Sequence, residues 1–66
     1  MTRKDYQEFA EMLRATRSMQ LLVAESTESA QLIHDSLKQV AENLCVIFKK
    51  DNPAFNKERF MTAAGF

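Results

Sequence analysis

One glycine, Gly65, and one proline, Pro53, are the only residues of either type in 66 positions. A fold of several short strands draws on such residues at most reversals, so their scarcity argues against an all-β protein. No glycine-rich phosphate loop can be written with Gly65 alone. One cysteine, Cys45, excludes an intrachain disulfide framework. Charge of either sign is not in excess: nine basic side chains cancel nine acidic ones. The chain thus lacks the basic footprint of a strong nucleic-acid binder, and it is not an acidic mimic of DNA. No apolar run reaches the 18 residues of a membrane span, and the N-terminus lacks the charged-then-apolar order of a signal peptide. A cytoplasmic protein without a membrane partner is the expectation.

What is abundant is helix-forming material: Ala, Leu, Glu, Lys, Gln, Met and Arg dominate throughout. Hydrophobic residues make up 45% of the chain, enough for one small core. A domain of this size buries only about 60% of its unfolded surface and is marginal alone. The sequence predicts a single all-α domain over 1–66, with a long central helix on which an N-terminal helix and a short C-terminal helix pack.

Thr2 can cap a first helix, with Asp5 in the place of the usual Glu or Gln of a capping box. Tyr6, Phe9, Ala10 and Leu13 then recur at helical spacing, with Met12 at the edge. At Thr16 the stripe weakens, and Glu8, Glu11, Arg14 and Arg17 are assigned to the other faces. The first helix is therefore expected over about Arg3 to Arg17. A second, cleaner stripe runs Ala30, Ile33, Leu37, Val40, Ala41, Leu44, Phe48, with Ser26 or Thr27 as its cap. It predicts a helix over about Glu28 to Lys50. Between them, residues 18–26 read as a connection with partial helical character. The alternative extends the first helix to about Ala24. The apolar content there is too high for a solvated loop, so this segment either packs on the second helix or meets another chain.

The segment Asp51 to Gly65 encodes a stop, a turn and a restart. A residue before proline is pushed out of the α region, so the second helix ends at or before Asn52, ahead of Pro53. Lys49 and Lys50 fall in its last turn, where positive charge suits the helix dipole. Asn56 can cap a third helix, with Glu58 in its first turn. Phe55, before the cap, then pairs with Phe60 as a hydrophobic staple. Gly65 is placed to close the helix in the left-handed conformation.

Chemistry is sparse. His34 and Cys45 are eleven positions apart on one predicted helix, about 16 Å, too far to form a nucleophilic pair. Neither has neighbours at metal-ligand spacing. His34 reads as a boundary residue beside the apolar stripe, and Cys45 as a buried thiol. No catalytic, cofactor-binding or metal-binding residue is expected; the chain reads as a non-enzyme. Two surface features remain. Met12, Met19, Leu21, Leu22 and Val23 are a candidate protein interface, unless they are core. Lys49, Lys50, Lys57 and Arg59 form a candidate basic corner for phosphate or an acidic partner, unless they are a solvated face. A third helix of about eight residues offering Lys57, Arg59 and Thr62 would be a poor reader of base edges.

The C-terminal run Asn52-Pro53-Ala54-Phe55-Asn56-Lys57-Glu58-Arg59-Phe60-Met61-Thr62-Ala63-Ala64-Gly65 resembles the "NPxFDxxRFxxACG" ending of short proteins from phages, plasmids and integrated elements. Met1-Thr2-Arg3-Lys4-Asp5-Tyr6 with Phe9-Ala10 is similar to their usual start. Together these segments cover roughly a third of the chain. Asn56 stands where Asp is common, Ala54 where a basic residue is frequent, and Ala64 where cysteine is frequent. The resemblance implies a small accessory protein of a phage or mobile element, with no shared activity to transfer. In that setting the expected function is a protein-binding module that inhibits or redirects a host factor, such as a CRISPR immune complex. A nucleic-acid-associated regulator using the basic corner, and a structural homodimer, are the alternatives.

Overall fold

The computed structural model describes all residues, 1–66, and contains three helices and no strand: α1 (Arg3–Leu22), α2 (Thr27–Asp51) and α3 (Lys57–Ala63). The long α2 carries an N-terminal and a short C-terminal helix, as the sequence predicts. At a rise of about 1.5 Å per residue α2 alone spans about 37 Å. That sets the length of a molecule measuring 39 × 17 × 14 Å. No helix is long and apolar enough to cross a membrane.

Each helix begins on the cap its sequence supplies. The Thr2 hydroxyl accepts from the Asp5 N–H at 3.3 Å, and the Asp5 carboxylate accepts from the Thr2 N–H at 2.9 Å. Aspartate thus completes the capping box. Ser26 Oγ accepts from the Ser29 N–H at 3.0 Å, and Asn56 Oδ1 accepts from the Arg59 N–H at 3.0 Å.

The expected end of the first helix at Arg17 is corrected to Leu22. No glycine or proline interrupts residues 18–22, and extending an existing helix adds a backbone bond per residue without a new nucleation cost. The Val23 and Ala24 N–H groups then donate to the Gln20 and Leu21 carbonyls, a tightened last turn. Residues 23–26 turn the chain over into α2.

At the far end, the Asn52 N–H donates to the Phe48 carbonyl and ends α2. Asn52 Oδ1 accepts from the Ala54 N–H at 3.0 Å, while the Phe55 N–H donates to the Asn52 carbonyl at 2.9 Å. This is a tight turn with Pro53 at the position its fixed φ favours. α3 closes with a Schellman arrangement: Gly65 N–H to the Thr62 carbonyl and Phe66 N–H to the Met61 carbonyl. Gly65 has φ 90°, the one left-handed residue in the chain.

The core is an aromatic cluster centred on Phe48, which is 2% exposed. Its ring lies 5.0 Å from Tyr6 and 5.3 Å from each of Phe9, Phe55 and Phe60, all in tilted or edge-on geometry. The predicted staple is present, with Phe55 and Phe60 at 5.7 Å. Ala10, Leu13, Ala41, Cys45 and Ala64 complete the buried set. No residue between Leu13 and Ala41 is buried. The α-amino group of Met1 pairs with Asp51 at 3.1 Å, joining the start of α1 to the end of α2, so the two helices run antiparallel. α3 then returns along them, and its end meets Arg17 and His34.

Candidate functional site

The inward line of α1 is Tyr6, Ala10, Leu13 and Arg17, at steps of four, three and four, buried at Ala10 and Leu13 and half-buried at its ends. That of α2 includes half-buried His34 and buried Ala41, Cys45 and Phe48. Each helix carries a second line about a quarter turn away at roughly 100° per residue. On α1 and its C-cap it is Phe9, Met12, Thr16, Met19 and Val23. On α2 it is Ile33, Leu37, Val40, Leu44 and Ile47. Both step by alternating threes and fours, the seam periodicity of helices that pack along their length. Antiparallel pairing turns these two lines to the same side of the hairpin.

α3 occupies the other side. The cleft it forms with the start of α1 is lined by Arg3, Gln7 and Ala10, which lie on the opposite flank of the inward line. The second lines are left open. Met12 is 52% exposed, Met19 69%, Val23 71%, Val40 46% and Ile47 58%. Phe9, Ile33, Leu37 and Leu44 are half-buried beneath them. Nine of the ten positions are apolar, the tenth is Thr16, and none is charged.

Of the five predicted interface residues, the structure brings Met12, Met19 and Val23 together on this face. Leu22 is exposed but sits about 100° further round α1, and Leu21 falls on the α3 flank, so neither belongs to it. Val40, read as part of the core stripe, is exposed and belongs to the open face instead. Ile47 joins it unforeseen; its spacing of seven from Val40 was the available signal.

Arg17 is the other correction. It does not lie on an outer face: it is the next step of the buried stripe after Leu13. Its guanidinium donates to the Gly65 carbonyl and stands 5.0 Å over the Phe66 ring. Its Nε is buried without a partner. Phe66 also meets the His34 ring edge-on at 5.3 Å, making His34 a packed boundary residue. The structural residues Asn52, Pro53, Phe55, Asn56, Phe60 and Gly65 take up the turn, cap, staple and closing positions described above.

Of the four positive residues of the predicted corner, three share one depression and Arg59 stands apart. Arg59 borders the cleft of about 420 Å³ that also contains Arg3, Tyr6, Asn52 and Asn56. Lys49, Lys50 and Lys57 border a different depression, where Glu42 sits among them. Lys49 Nζ is engaged, donating to the Phe55 carbonyl at 3.2 Å. Cys45, at the base of that depression, is buried, and burial pushes its thiol pKa up, away from the reactive thiolate. No group of three or more His, Cys, Asp or Glu side chains is placed to hold a metal ion. The chain matches no protein-family model, no curated protein and no solved structure.

Proposed function

We propose that this chain is a non-catalytic protein-binding module whose working surface is the open face of the α1–α2 hairpin. One observation carries the reading: an uncharged, apolar strip along two helices, left bare by the helix that covers the opposite side. Contiguous apolar area of this kind marks protein contact sites on small domains. The alternating spacing suits a helical surface on the partner, which would fill the groove between the two lines.

Nucleic acid is the less favoured partner, because Arg59 borders a different cleft from the three lysines, Glu42 sits among those lysines, and Lys49 is already engaged. The likeness of the chain's two ends to small mobile-element proteins supports a bacterial cytoplasmic setting. It also supports action on a host factor, an immune complex of the CRISPR kind included.

The test is affinity capture from bacterial cells with the wild-type chain and with Val40→Glu. The wild type should bring down a protein in stoichiometric amount, an untagged copy of the chain included, and the variant should lose it. Recovery of the same proteins by both chains refutes the reading.

A further inference from the structure

We infer that the occupant of the open hairpin face is a second copy of this chain, the two hairpins packing face to face as a four-helix bundle with α3 on each outer side. The inference rests on the reading of that face as a docking surface and names its partner.

Four observations support a second copy over an unrelated protein. The first is area. The five side chains that are 46–71% exposed on this face leave roughly 500 Å² bare, so two copies would bury about 1,000 Å² before their half-buried neighbours are counted, the threshold for a stable interface. The second is periodicity. Phe9, Met12, Thr16, Met19 and Val23 on one helix, and Ile33, Leu37, Val40, Leu44 and Ile47 on the other, both carry the three-four repeat. Helices in a bundle core carry that repeat on every member. A face with the repeat on both helices presents the same seam to its own copy, as an isologous contact requires.

The third is charge. A surface meeting its own copy meets its own charges, and like charges opposed across an interface cost affinity. None of the ten positions of this face is charged, and Glu8 on α1 and Glu25 in the turn stand at its border. The chain as a whole is neutral, so no long-range repulsion opposes association. The fourth is size. All eight buried residues lie toward one end of a 39 Å rod. The bare part of the hairpin, holding Met19 and Val23, has nothing else in the chain to cover it. Pairing supplies the missing half of the core.

Other exposed apolar residues do not belong to this surface and provide the control. Val46 is 57% exposed on α2, yet lies about 100° from Ile47 and outside the strip.

The test is the mass in solution of the full chain, by light scattering during gel filtration and by sedimentation equilibrium. The wild type should show twice 7.6 kDa. Association should weaken on dilution, as mass action demands, with the dimer prevailing at about 200 μM. Val40→Glu and Met19→Glu each bury a carboxylate at the contact and should weaken association about a hundredfold or more. Both positions are solvent-facing in the single chain, so helix content by circular dichroism should be retained. Val46→Glu should keep the dimer mass.

A wild-type chain of 7.6 kDa at that concentration overturns the inference. So does dissociation by Val46→Glu to the same extent as by Val40→Glu, or an open-ended series of larger assemblies. A monomeric wild type that still loses a captured protein on Val40→Glu overturns self-association alone. A monomer whose captured proteins ignore Val40 overturns the docking reading as well.

Discussion

Phe48→Ala tests the claim that one aromatic ring joins all three helices. The ring is 2% exposed and touches Tyr6 and Phe9 of α1, Phe55 of the turn and Phe60 of α3. Truncating a buried phenylalanine costs about 3–5 kcal/mol through lost transfer energy and the cavity left behind. Four neighbouring rings lose a partner as well, two of them an edge-on one, which moves the cost toward the upper end. The total stability expected of 66 residues is about 3–10 kcal/mol. The variant therefore sits at or beyond the edge of folding. With a urea slope near 1 kcal/mol per molar for a chain this short, the midpoint should fall by about 3 M or more. The assay is urea denaturation followed by far-ultraviolet circular dichroism, at one protein concentration for all chains. Val46→Ala, on the solvent side of the same helix, should stay within about 0.5 kcal/mol of the wild type. If Phe48→Ala unfolds at the wild-type urea concentration, the three helices do not share this ring and the packing described here is wrong.

Three further outcomes follow from particular residues. Gly65→Ala should destabilise the chain by about 1–2 kcal/mol, because φ 90° disfavours a Cβ and the added atom would meet the Arg17 guanidinium; an unchanged melting temperature would show that the C-terminal closure is not held. Burial raises the Cys45 pKa, so its stabilising share is complete below the unfolded thiol's pKa and is lost as pH rises through the folded one. Stability should decline above about pH 8.5, and iodoacetamide should label the thiol much more slowly in the native chain than in urea. The backbone bond from Thr2 lowers the Asp5 pKa. Its share is complete above the ordinary carboxylate range and is lost as pH falls through the depressed value, so Asp5→Asn should flatten that acid limb of the urea midpoint while leaving the rest of the pH profile in place.

The parts of this fold that are legible in the sequence are those set by neighbours in the chain. Thr2, Ser26, Asn56, Pro53 and Gly65 act within four or five positions, so their roles can be read directly from spacing. The residues that depart from expectation are those whose partners are distant. Arg17 reads as a surface charge because its partners, Gly65 and Phe66, are nearly fifty positions away. Val40 reads as core because a helix with two apolar lines looks the same in sequence as one with a single broad stripe. Which line is buried depends on where α3 docks, and seven residues of α3 decide it. The same ambiguity conceals the open face: its residues satisfy a helical period, and only the packing of the other two helices shows that nothing covers them.

All the buried side chains are gathered where the proline turn brings three helices together, and none lies around the serine turn at the opposite extremity. A lone molecule should therefore breathe like a clothes-peg, clamped at the hinge and parting at the jaws. Amide protons of residues 18–33 should trade with deuterium long before those near Phe48. Closing the jaws on a companion would erase that gradient.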